Sequence, residues 1–374
     1  MFTIEGTHGT AACYATNIED ACVEQIRTML GMPFAEGANT AIMPDAHFGI
    51  GCTIGTTMRV TDAVVPNLVG VDIGCGMLTA DLGHKPIDLP AFDEACHKIP
   101  SGARVWDGCK EQFDFEELRC YRELRDVKRL KRSLGTLGGG NHFIEIDVAS
   151  DGMQRLVIHS GSRNLGLQVA NYYQGLAVDL HSGKEGFFER KRELIDAYKS
   201  AGRHDEIQAA LKELAARYEG AEPDVPADLC WLYGSYMDDY LHDVDVCQRF
   251  AARNRVRMLV EILARTGLDA SSEFHTVHNY IDVDEMVLRK GAIAAHAGET
   301  VGAGRVMSRR EARETLNLRE YRTAMEGIYS TSVNERTIDE APSAHKPIED
   351  IIGPIAESVD IIDVMRPICN FKAS

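Results

Sequence analysis

The sequence has no long apolar run and no secretion signal, and these two absences narrow the class of protein. No stretch approaches the ~20 consecutive apolar residues that a membrane-spanning helix needs. The N-terminal residues MFTIEGTHGTAACYATNIED lack a basic stretch followed by an apolar one, so we expect no signal peptide. Hydrophobic residues make up 44% and charged residues 26% of the 374 residues, as in ordinary globular proteins. We therefore expect a cytoplasmic protein with no membrane attachment.

Closely spaced cysteine pairs are also missing. The ten cysteines are scattered and form no CxxC pair, which in a chain of this length indicates reduced thiols rather than a disulfide framework. One cysteine stands out, because Cys75 lies between two glycines at the end of an apolar run.

Positive charge is scarce, with 40 lysines and arginines against 57 acidic residues and a net charge of −17. An acidic total argues against loose coating of nucleic acid. It leaves open a local basic groove, and it leaves open phosphates that are neutralised by bound metal.

The distribution of residue types predicts an α+β fold. Residues 39–82, 134–167 and 270–300 contain short apolar runs broken by Gly, Asn and Asp, which is typical of strands with sharp turns. Residues 184–265 are rich in Glu, Lys, Arg, Ala and Leu and predict helices with a break near Gly202. We interpret this range as a helical arm inserted into a single β-rich domain that spans residues 1–374. A separate helical domain is the alternative, but no linker rich in Pro, Gly or Ser flanks the range.

The string VGVDIGCGM at residues 69–77 combines a carboxylate and a thiol. Asp72 and Cys75 follow an apolar strand, and the neighbouring glycines allow the backbone to turn both side chains toward one point. A thiolate and a carboxylate form a metal-binding pair, and a thiolate can bridge two ions. The alternative is a buried cysteine in a glycine turn.

The string LGTLGGGNHFIEI at residues 134–146 places a glycine-rich turn before Asn141, His142 and Glu145. These three polar residues stand at the beginning of an apolar strand, where side chains alternate between the two faces.

The string RLVIHSGSRNLG at residues 155–166 delivers His159 to the end of a buried strand. His159 is either a histidine satisfied by the core or a metal ligand. Arg163 follows in a polar turn, where it is well placed for an anionic group.

The string FHTVHNYI contains two further histidines, His275 and His278. On a strand these side chains point to opposite faces, so only one of them can join a shared site.

Taken together, one Asp, one Cys and three His at strand ends predict a binuclear metal site. Nitrogen, oxygen and sulfur donors suit Mn²⁺, Zn²⁺, Fe²⁺ or Co²⁺ better than Mg²⁺ or Ca²⁺.

These motifs resemble those of the RtcB-type RNA ligases. The hallmarks occur in order over nearly the whole chain, as MPDAHFGIGCTIG (43–55), VGVDIGCGM, LGTLGGGNHF, VIHSGSRNLG, HN (278–279), RKGA (289–292), GAGRVMSR (302–309) and NFK (370–372). The shorter length and the GCTIGTTM variant resemble a bacterial subgroup.

The resemblance implies an RtcB-like catalytic domain that acts in tRNA processing or RNA repair. Its members join an RNA 3′-phosphate or 2′,3′-cyclic phosphate to a 5′-hydroxyl through a guanylylated histidine, using GTP and Mn²⁺.

The resemblance implies a role for each metal ligand. Cys75 is expected to bridge two manganese ions, Asp72 and His142 to complete one ion, and His159 and His278 to complete the other.

The resemblance also implies a nucleotide site and two catalytic side chains. Asn141 and Arg163 are the expected catalytic residues, with Arg163 on a phosphate. The residues expected to bind GTP or GMP are Asn141, Glu145, Ala303, Gly304, His345 and Lys372. Relatives often have a tyrosine that stacks on guanine where this chain has His345, whose imidazole can also stack on a base.

The sequence departs from the family at its nucleophile. Relatives have a histidine before Gly-Ala-Gly-Arg, and this chain has Val301 there. The distance from RKGA to this string is also shorter than in relatives by a few dozen residues, so we place a missing segment between Val301 and Gly302. Three origins stay open, namely a segment that the protein has but the sequence omits, a deletion, and a natural chain of this length.

Two alternative functions follow from the missing histidine. A metal-bound protein that binds RNA ends without joining them needs no nucleophile, and neither does a metal-dependent phosphatase or cyclic phosphodiesterase that uses water.

Overall fold

A computed structural model describes residues 1–215, 222–294, 309–356 and 359–373 of the chain. Ala303, Gly304 and the boundary between Val301 and Gly302 therefore lie outside the described residues. The described strands are β1 (Phe2–Glu5), β2 (Thr10–Cys13), β3 (Thr40–His47), β4 (Ile54–Arg59), β5 (Ala63–Val64), β6 (Gly76–Gly83), β7 (Phe143–Val148), β8 (Gln154–Ser160), β9 (Leu232–Tyr233), β10 (Ser272–Val277), β11 (Asn279–Asp282), β12 (Val287–Lys290) and β13 (Arg366–Lys372).

The helices lie between groups of these strands along the chain. They are α1 (Asp20–Leu30), α2 (Leu89–His97), α3 (Val127–Leu130), α4 (Arg163–Asp179), α5 (Glu185–Ser200), α6 (Ile207–Ala215), α7 (Gly234–Thr266), α8 (Arg309–Thr315), α9 (Leu318–Ala324) and α10 (Glu349–Ile355). The α+β class expected from the sequence is confirmed. None of the helices in the described ranges is both long and apolar enough to cross a bilayer.

Two sheets form the framework. The larger has the strand order β1-β2-β3-β4-β12-β11, and the second has the order β10-β6-β8-β7-β13. The pairings within the second sheet are antiparallel. The chain passes from the second sheet to the first at His278, which separates β10 from β11.

The five-stranded sheet has one apolar face and one polar face. Leu156 and Ile158 on β8, with Ile144 on β7, join a buried core beneath α2 and the end of α7. Because side chains alternate along a strand, His159 and Glu145 belong to the opposite face. The same alternation of side chains that buries the apolar residues on one face of the sheet therefore places the polar residues together on the other face.

The turn predicted at residues 160–163 is short. Only Gly161 and Ser162 separate β8 from α4, which begins at Arg163. Buried residues recur in α4 at Leu165, Val169 and Tyr173, which is the spacing of a helix that buries one face. Arg163 is the first residue of this helix, yet its φ of +60° is left-handed, so its backbone keeps the turn character that the sequence predicted.

The helices predicted for 184–265 divide into two kinds. Helix α5 ends shortly before Gly202 (φ +70°) and α6 follows it, and the side chains described in these two helices include none that is fully buried. Helix α7 differs, because it buries Tyr240, Phe250 and Ile262 and contacts α2, α4, β6 and β8. The peripheral character expected of an arm therefore belongs to α5 and α6, while α7 is part of the core.

Candidate metal centre

Five predicted ligands lie at one end of the five-stranded sheet. Asp72 and Cys75 lie in the turn that leads into β6, and His142 immediately precedes β7. His159 is the second-last residue of β8, and His278 follows β10.

The register of the sheet explains why these distant residues meet. Gly76 at the start of β6 lies opposite Ser160 at the end of β8 and opposite Val277 at the end of β10. Phe143 at the start of β7 lies opposite His159. Antiparallel pairing therefore brings the ends of β8 and β10 beside the starts of β6 and β7.

The donor atoms form two groups that share the thiol. Cys75 Sγ lies 3.3 Å from His159 Nε2 and 3.4 Å from His142 Nε2. His159 Nε2 lies 3.3 Å from His278 Nε2, and His142 Nε2 lies 2.8 Å from Asp72 Oδ2. Within each group, Asp72–Cys75–His142 and Cys75–His159–His278, the donor atoms all lie within 4.8 Å of one another.

Backbone carbonyls orient two of the imidazole rings. His142 Nδ1 lies 2.8 Å from the carbonyl oxygen of Leu137, and His159 Nδ1 lies 3.1 Å from that of Asn141. A carbonyl oxygen only accepts, so each Nδ1 carries the proton and donates it. In the neutral rings, each Nε2 then presents a lone pair to the centre of the cluster, which is the arrangement of metal-binding histidines.

This donor set fits metal ions. With the rings neutral, the Nε2 lone pair of His142 faces the Asp72 carboxylate, and that of His159 faces Cys75 and His278. A cation in each group would interact with all of these lone pairs at once. Donors that share one metal through bonds of about 2.0–2.3 Å stand roughly 3–4 Å apart, as the nitrogen and sulfur atoms do here.

The protonation states follow from burial. Burial is the main cause that lowers the pKa of His278 to about 4, and with the neighbouring His278 and His142 it sets that of His159 well below its usual value. Burial and the Asp72 carboxylate raise the pKa of the Cys75 thiol well above its usual value. Burial opposes ionisation of Asp72, yet in the metal-free protein the charge and hydrogen bond of His142, together with Cys75 and Arg163, outweigh burial and lower the pKa of Asp72. A metal ion would take the place of the charge on His142. Metal binding would therefore have to displace the Cys75 proton, because thiolate is the ligand form.

Two glycines leave room for the cluster. A Cβ atom at Gly161 would overlap the Asp72 carboxylate, and one at Gly138 would overlap the Arg163 guanidinium and approach within 2.7 Å of His142 Nδ1. Gly138 also has a φ of +90°, a conformation that other residues rarely adopt.

Helix α7 holds the ligand-bearing turns through Asn254, a residue that the sequence reasoning missed. Asn254 Oδ1 accepts from the amides of Gly135 (2.7 Å) and Thr136 (3.0 Å). Its Nδ2 donates to the carbonyls of Thr136 (3.1 Å) and Gly161 (3.2 Å). One fully buried amide thus ties the turn before His142 to the turn after His159.

Arg255 plays a similar part on the other side of β8 and was also missed. Its Nη1 donates to the carbonyls of Gly74 and Ser160, each at 2.8 Å, and its Nε lies 3.2 Å from His275 Nδ1. His275 therefore faces α7 while His278 faces the cluster, as strand alternation predicts. Nothing in the sequence of α7, which is rich in polar residues, indicates these contacts.

Arg163 lies beside the cluster in the first turn of α4. Its Nε donates to Thr136 Oγ1 (3.0 Å), and its Nη2 donates to the carbonyl of Gly102 (2.7 Å). Burial lowers the pKa of Arg163, against the opposing effects of Asp72 and Cys75. The structure therefore places a largely buried guanidinium next to the ligands.

The residues predicted to bind nucleotide lie in two places. Glu145 and Lys372 are on the polar face of the sheet, where Asn370 Nδ2 donates to Glu145 Oε2 (2.7 Å). Lys372 Nζ donates to buried Glu340 (2.8 Å) and lies 5.5 Å from the centre of the Phe143 ring.

The other two described residues of the predicted nucleotide site are His345 and Asn141. The Nδ1 atom of His345 lies 3.2 Å from the carbonyl oxygen of Ala341. This contact is local, because the two residues are only four positions apart in the sequence. The side chain of Asn141 is exposed, next to the ligand His142.

The comparisons with known proteins agree over the whole chain. The model of a family described as tRNA-splicing ligase RtcB matches residues 25–126, 116–301 and 299–373. The chain is 27% identical to the RNA-splicing ligase RtcB of Escherichia coli K12, with 95% of each chain covered. It is 27% identical to the tRNA-splicing ligase RtcB of Aeropyrum pernix, with 87% of this chain and 86% of that one covered.

Two features of these matches concern the length of the chain and the region near Val301. The second and third parts of the family match meet at residues 299–301. The alignment with the Escherichia coli protein extends over 427 residues, 53 more than the 374 of this chain. The relative therefore has residues without a counterpart here.

A first prediction concerns Arg255. Arg255→Met leaves the carbonyls of Gly74 and Ser160 without this donor, so we expect a loss of about 1–3 kcal/mol of unfolding free energy for each of them. Urea unfolding without metal measures this loss, and Co²⁺ titration should show weaker binding. The matched control is Arg253→Met on the same helix, which removes an exposed ion pair with Glu111 and should cost less than about 1 kcal/mol. Equal stability of the two variants would contradict the positioning role.

Proposed function

Because the chain belongs to the RtcB family of tRNA-splicing ligases, we propose that it is an RNA ligase that acts in the cytoplasm in tRNA processing or RNA repair. We propose that it joins an RNA 3′-phosphate or 2′,3′-cyclic phosphate to a 5′-hydroxyl, using GTP and two Mn²⁺ ions. The observation that carries this proposal is the pair of donor groups that share Cys75 Sγ. Asp72 and His142 would complete the site of one ion, and His159 and His278 that of the other.

The proposed reaction gathers negative charge in a buried place. Two cations would offset the charge of a triphosphate and an RNA phosphate and orient an in-line displacement. Arg163 would add a fixed positive charge. Its Nε and Nη2 already bind the protein, so we assign to Nη1 the contact with a phosphate oxygen.

The polar face of the sheet would bind the nucleotide. Glu145 is an acceptor held by Asn370, and Lys372 is a donor held by Glu340, so both could contact a guanine edge without large movement. Asn141 would contact the reacting phosphate beside the metals, and His345 would stack on the base. Ala303 and Gly304 complete the proposed set outside the described residues.

The nucleophile is the histidine that this sequence lacks. We propose that it belongs to a segment that relatives have between the positions of Val301 and Gly302. The division of the family match at residues 299–301 supports this place. The additional residues of the Escherichia coli relative support the existence of such a segment.

A second function applies if the protein truly has 374 residues. Val301 has no group that attacks a phosphate, so this chain would bind RNA ends and metals without joining ends. Hydrolysis of a cyclic phosphate or phosphate ester is the related possibility, because it needs only the metals and water.

Replacement of Cys75 tests the shared ligand. Cys75→Ala should abolish binding of both metals, because it removes the only donor common to the two groups. Cys75→Ser should bind weakly, since a hydroxyl stays protonated at neutral pH, and Cys109→Ala is the control at an exposed cysteine. Metal analysis that finds two full equivalents in Cys75→Ala would exclude the bridging role.

Replacement of single histidines tests how the ligands are divided. His159→Ala and His278→Ala should lose the same ion, whereas His142→Ala should lose the other. Anomalous scattering from Mn²⁺ in crystals of the three variants locates the remaining ion. Loss of different ions from the His159 and His278 variants would refute this division.

Labelled GTP tests the missing nucleophile. With Mn²⁺, the 374-residue chain should form no covalent guanylate, whereas a protein that contains the additional segment should form an acid-labile, base-stable one. Intact mass distinguishes the two proteins, because the 374 residues account for 41.3 kDa. Guanylylation of a 41.3 kDa protein would show that another residue is the nucleophile.

A further inference from the structure

Positive charge is concentrated in one short segment of this acidic chain. Residues 119–132, which we call the basic segment, contain seven basic and two acidic residues. The basic residues are Arg119, Arg122, Arg125, Lys128, Arg129, Lys131 and Arg132. A local excess of this kind, in a chain with a net charge of −17, creates a positive field that the composition as a whole conceals.

Most of this charge is available to a partner. Arg122, Arg125, Lys128 and Lys131 are exposed. Within the described ranges, no carboxylate forms an ion pair with these four side chains. Arg119 is less available, because its Nε lies 4.0 Å from Asp239. The four unpaired cations form the part of the segment that can contact an anion.

The segment is held in place although it contains little regular structure. Buried Asp243 on α7 accepts from the amides of Arg119 (2.8 Å) and Cys120 (3.0 Å). Gln168 on α4 bonds both the amide (2.6 Å) and the carbonyl (3.1 Å) of Arg125. These contacts fix the backbone, so binding of a ligand would order side chains rather than the chain itself.

The segment also reaches the metal centre. The guanidinium of Arg129 donates to the carbonyl of Ala103. The adjacent Gly102 donates its amide to the carbonyl of Gly138 (2.7 Å) and accepts from Arg163 Nη2 (2.7 Å). Two contacts therefore separate Arg129, in the middle of the basic segment, from the turn that carries His142.

We propose that the basic segment binds the phosphate backbone of the RNA strand whose end lies at the metal centre. This inference rests on the proposed function. It adds a binding site for the part of the RNA strand that lies beyond the reacting end. A strand that leaves a site built for phosphates passes next to the cations that adjoin it, and contacts to the backbone fix register without reading sequence. An acidic protein partner would have no such reason to adjoin the Gly138 turn.

The test compares two variants with equal loss of charge. The first carries Arg122→Ala, Arg125→Ala, Lys128→Ala and Lys131→Ala. The control carries Arg59→Ala, Lys85→Ala, Lys199→Ala and Lys212→Ala, which are exposed residues elsewhere on the protein. Fluorescence anisotropy measures binding of a 3′-phosphorylated dinucleotide and of a long 3′-phosphorylated single strand, in Mn²⁺ and at several salt concentrations. Metal content and urea unfolding verify that both variants are folded.

We expect the basic-segment variant to bind the long strand at least about tenfold more weakly at low salt. The slope of log affinity against log salt should become less steep by about 0.7 for each lost phosphate contact. Its affinity for the dinucleotide should stay within about twofold of the unmodified protein, and so should both affinities of the control. Equal weakening in the two variants would overturn the proposal, because it would reflect net charge alone. Undiminished affinity of the first variant would also overturn it and favour an acidic protein as the occupant.

End joining is measured separately on the same proteins. In a protein that contains the additional segment, binding of the long strand through the basic segment without end joining would contradict the ligase proposal and support this one. End joining that occurs and is unaffected by the four substitutions, with binding also unaffected, would support the ligase proposal and contradict this one.

Discussion

The strongest physical constraint in this structure is the convergence of five potential metal-donor atoms in a buried place. Nε2 atoms of three imidazoles, a carboxylate oxygen and a thiol meet within a few ångströms. Two of these rings have already committed their Nδ1 protons to backbone carbonyls. Without metal, these contacts need protons on the thiol and on Nε2 atoms, and a cation would take the place of those protons. Metal binding would therefore contribute to the stability of this end of the sheet as well as to its chemistry.

The framework keeps these acceptors together by two means. Antiparallel register brings four strand ends to one place, and the alternation of side chains places His159 and Glu145 on the face away from the apolar core. Sheet pairing alone does not orient the turns that carry the other ligands. Asn254 and Arg255 do this from α7, because each binds backbone atoms of two different turns. Helix α7 therefore packs against the hydrophobic core and also holds the turns of the candidate metal centre in place.

The sequence predicted the ligands better than it predicted their support. Asp72, Cys75 and His142 lie near glycines at the ends of apolar strands. A glycine-rich turn next to an apolar strand is a local pattern, so it can be recognised in the sequence. The start of α4 at Arg163 was missed because the preceding Ser-Gly-Ser is typical of a turn and the helical periodicity becomes visible only later. Asn254 was missed for a different reason. A polar residue in a charged helix has no distinctive pattern, and the importance of Asn254 arises only from tertiary contacts between positions 93 to 119 residues apart.

The order of these elements along the chain separates metal binding from the proposed nucleophile. The five ligands, and the two helix residues that support them, all lie at or before His278, whereas the segment that relatives add belongs after Val301. Their positions are fixed by strands β6, β7, β8 and β10 and by α7, none of which includes that segment. A chain without the nucleophile can therefore still assemble the donor set, the adjacent Arg163 and the basic segment. Loss of the segment would remove the proposed covalent chemistry and leave the donor set and these cations in place, which is why RNA-end binding without joining is a physically coherent alternative for this chain.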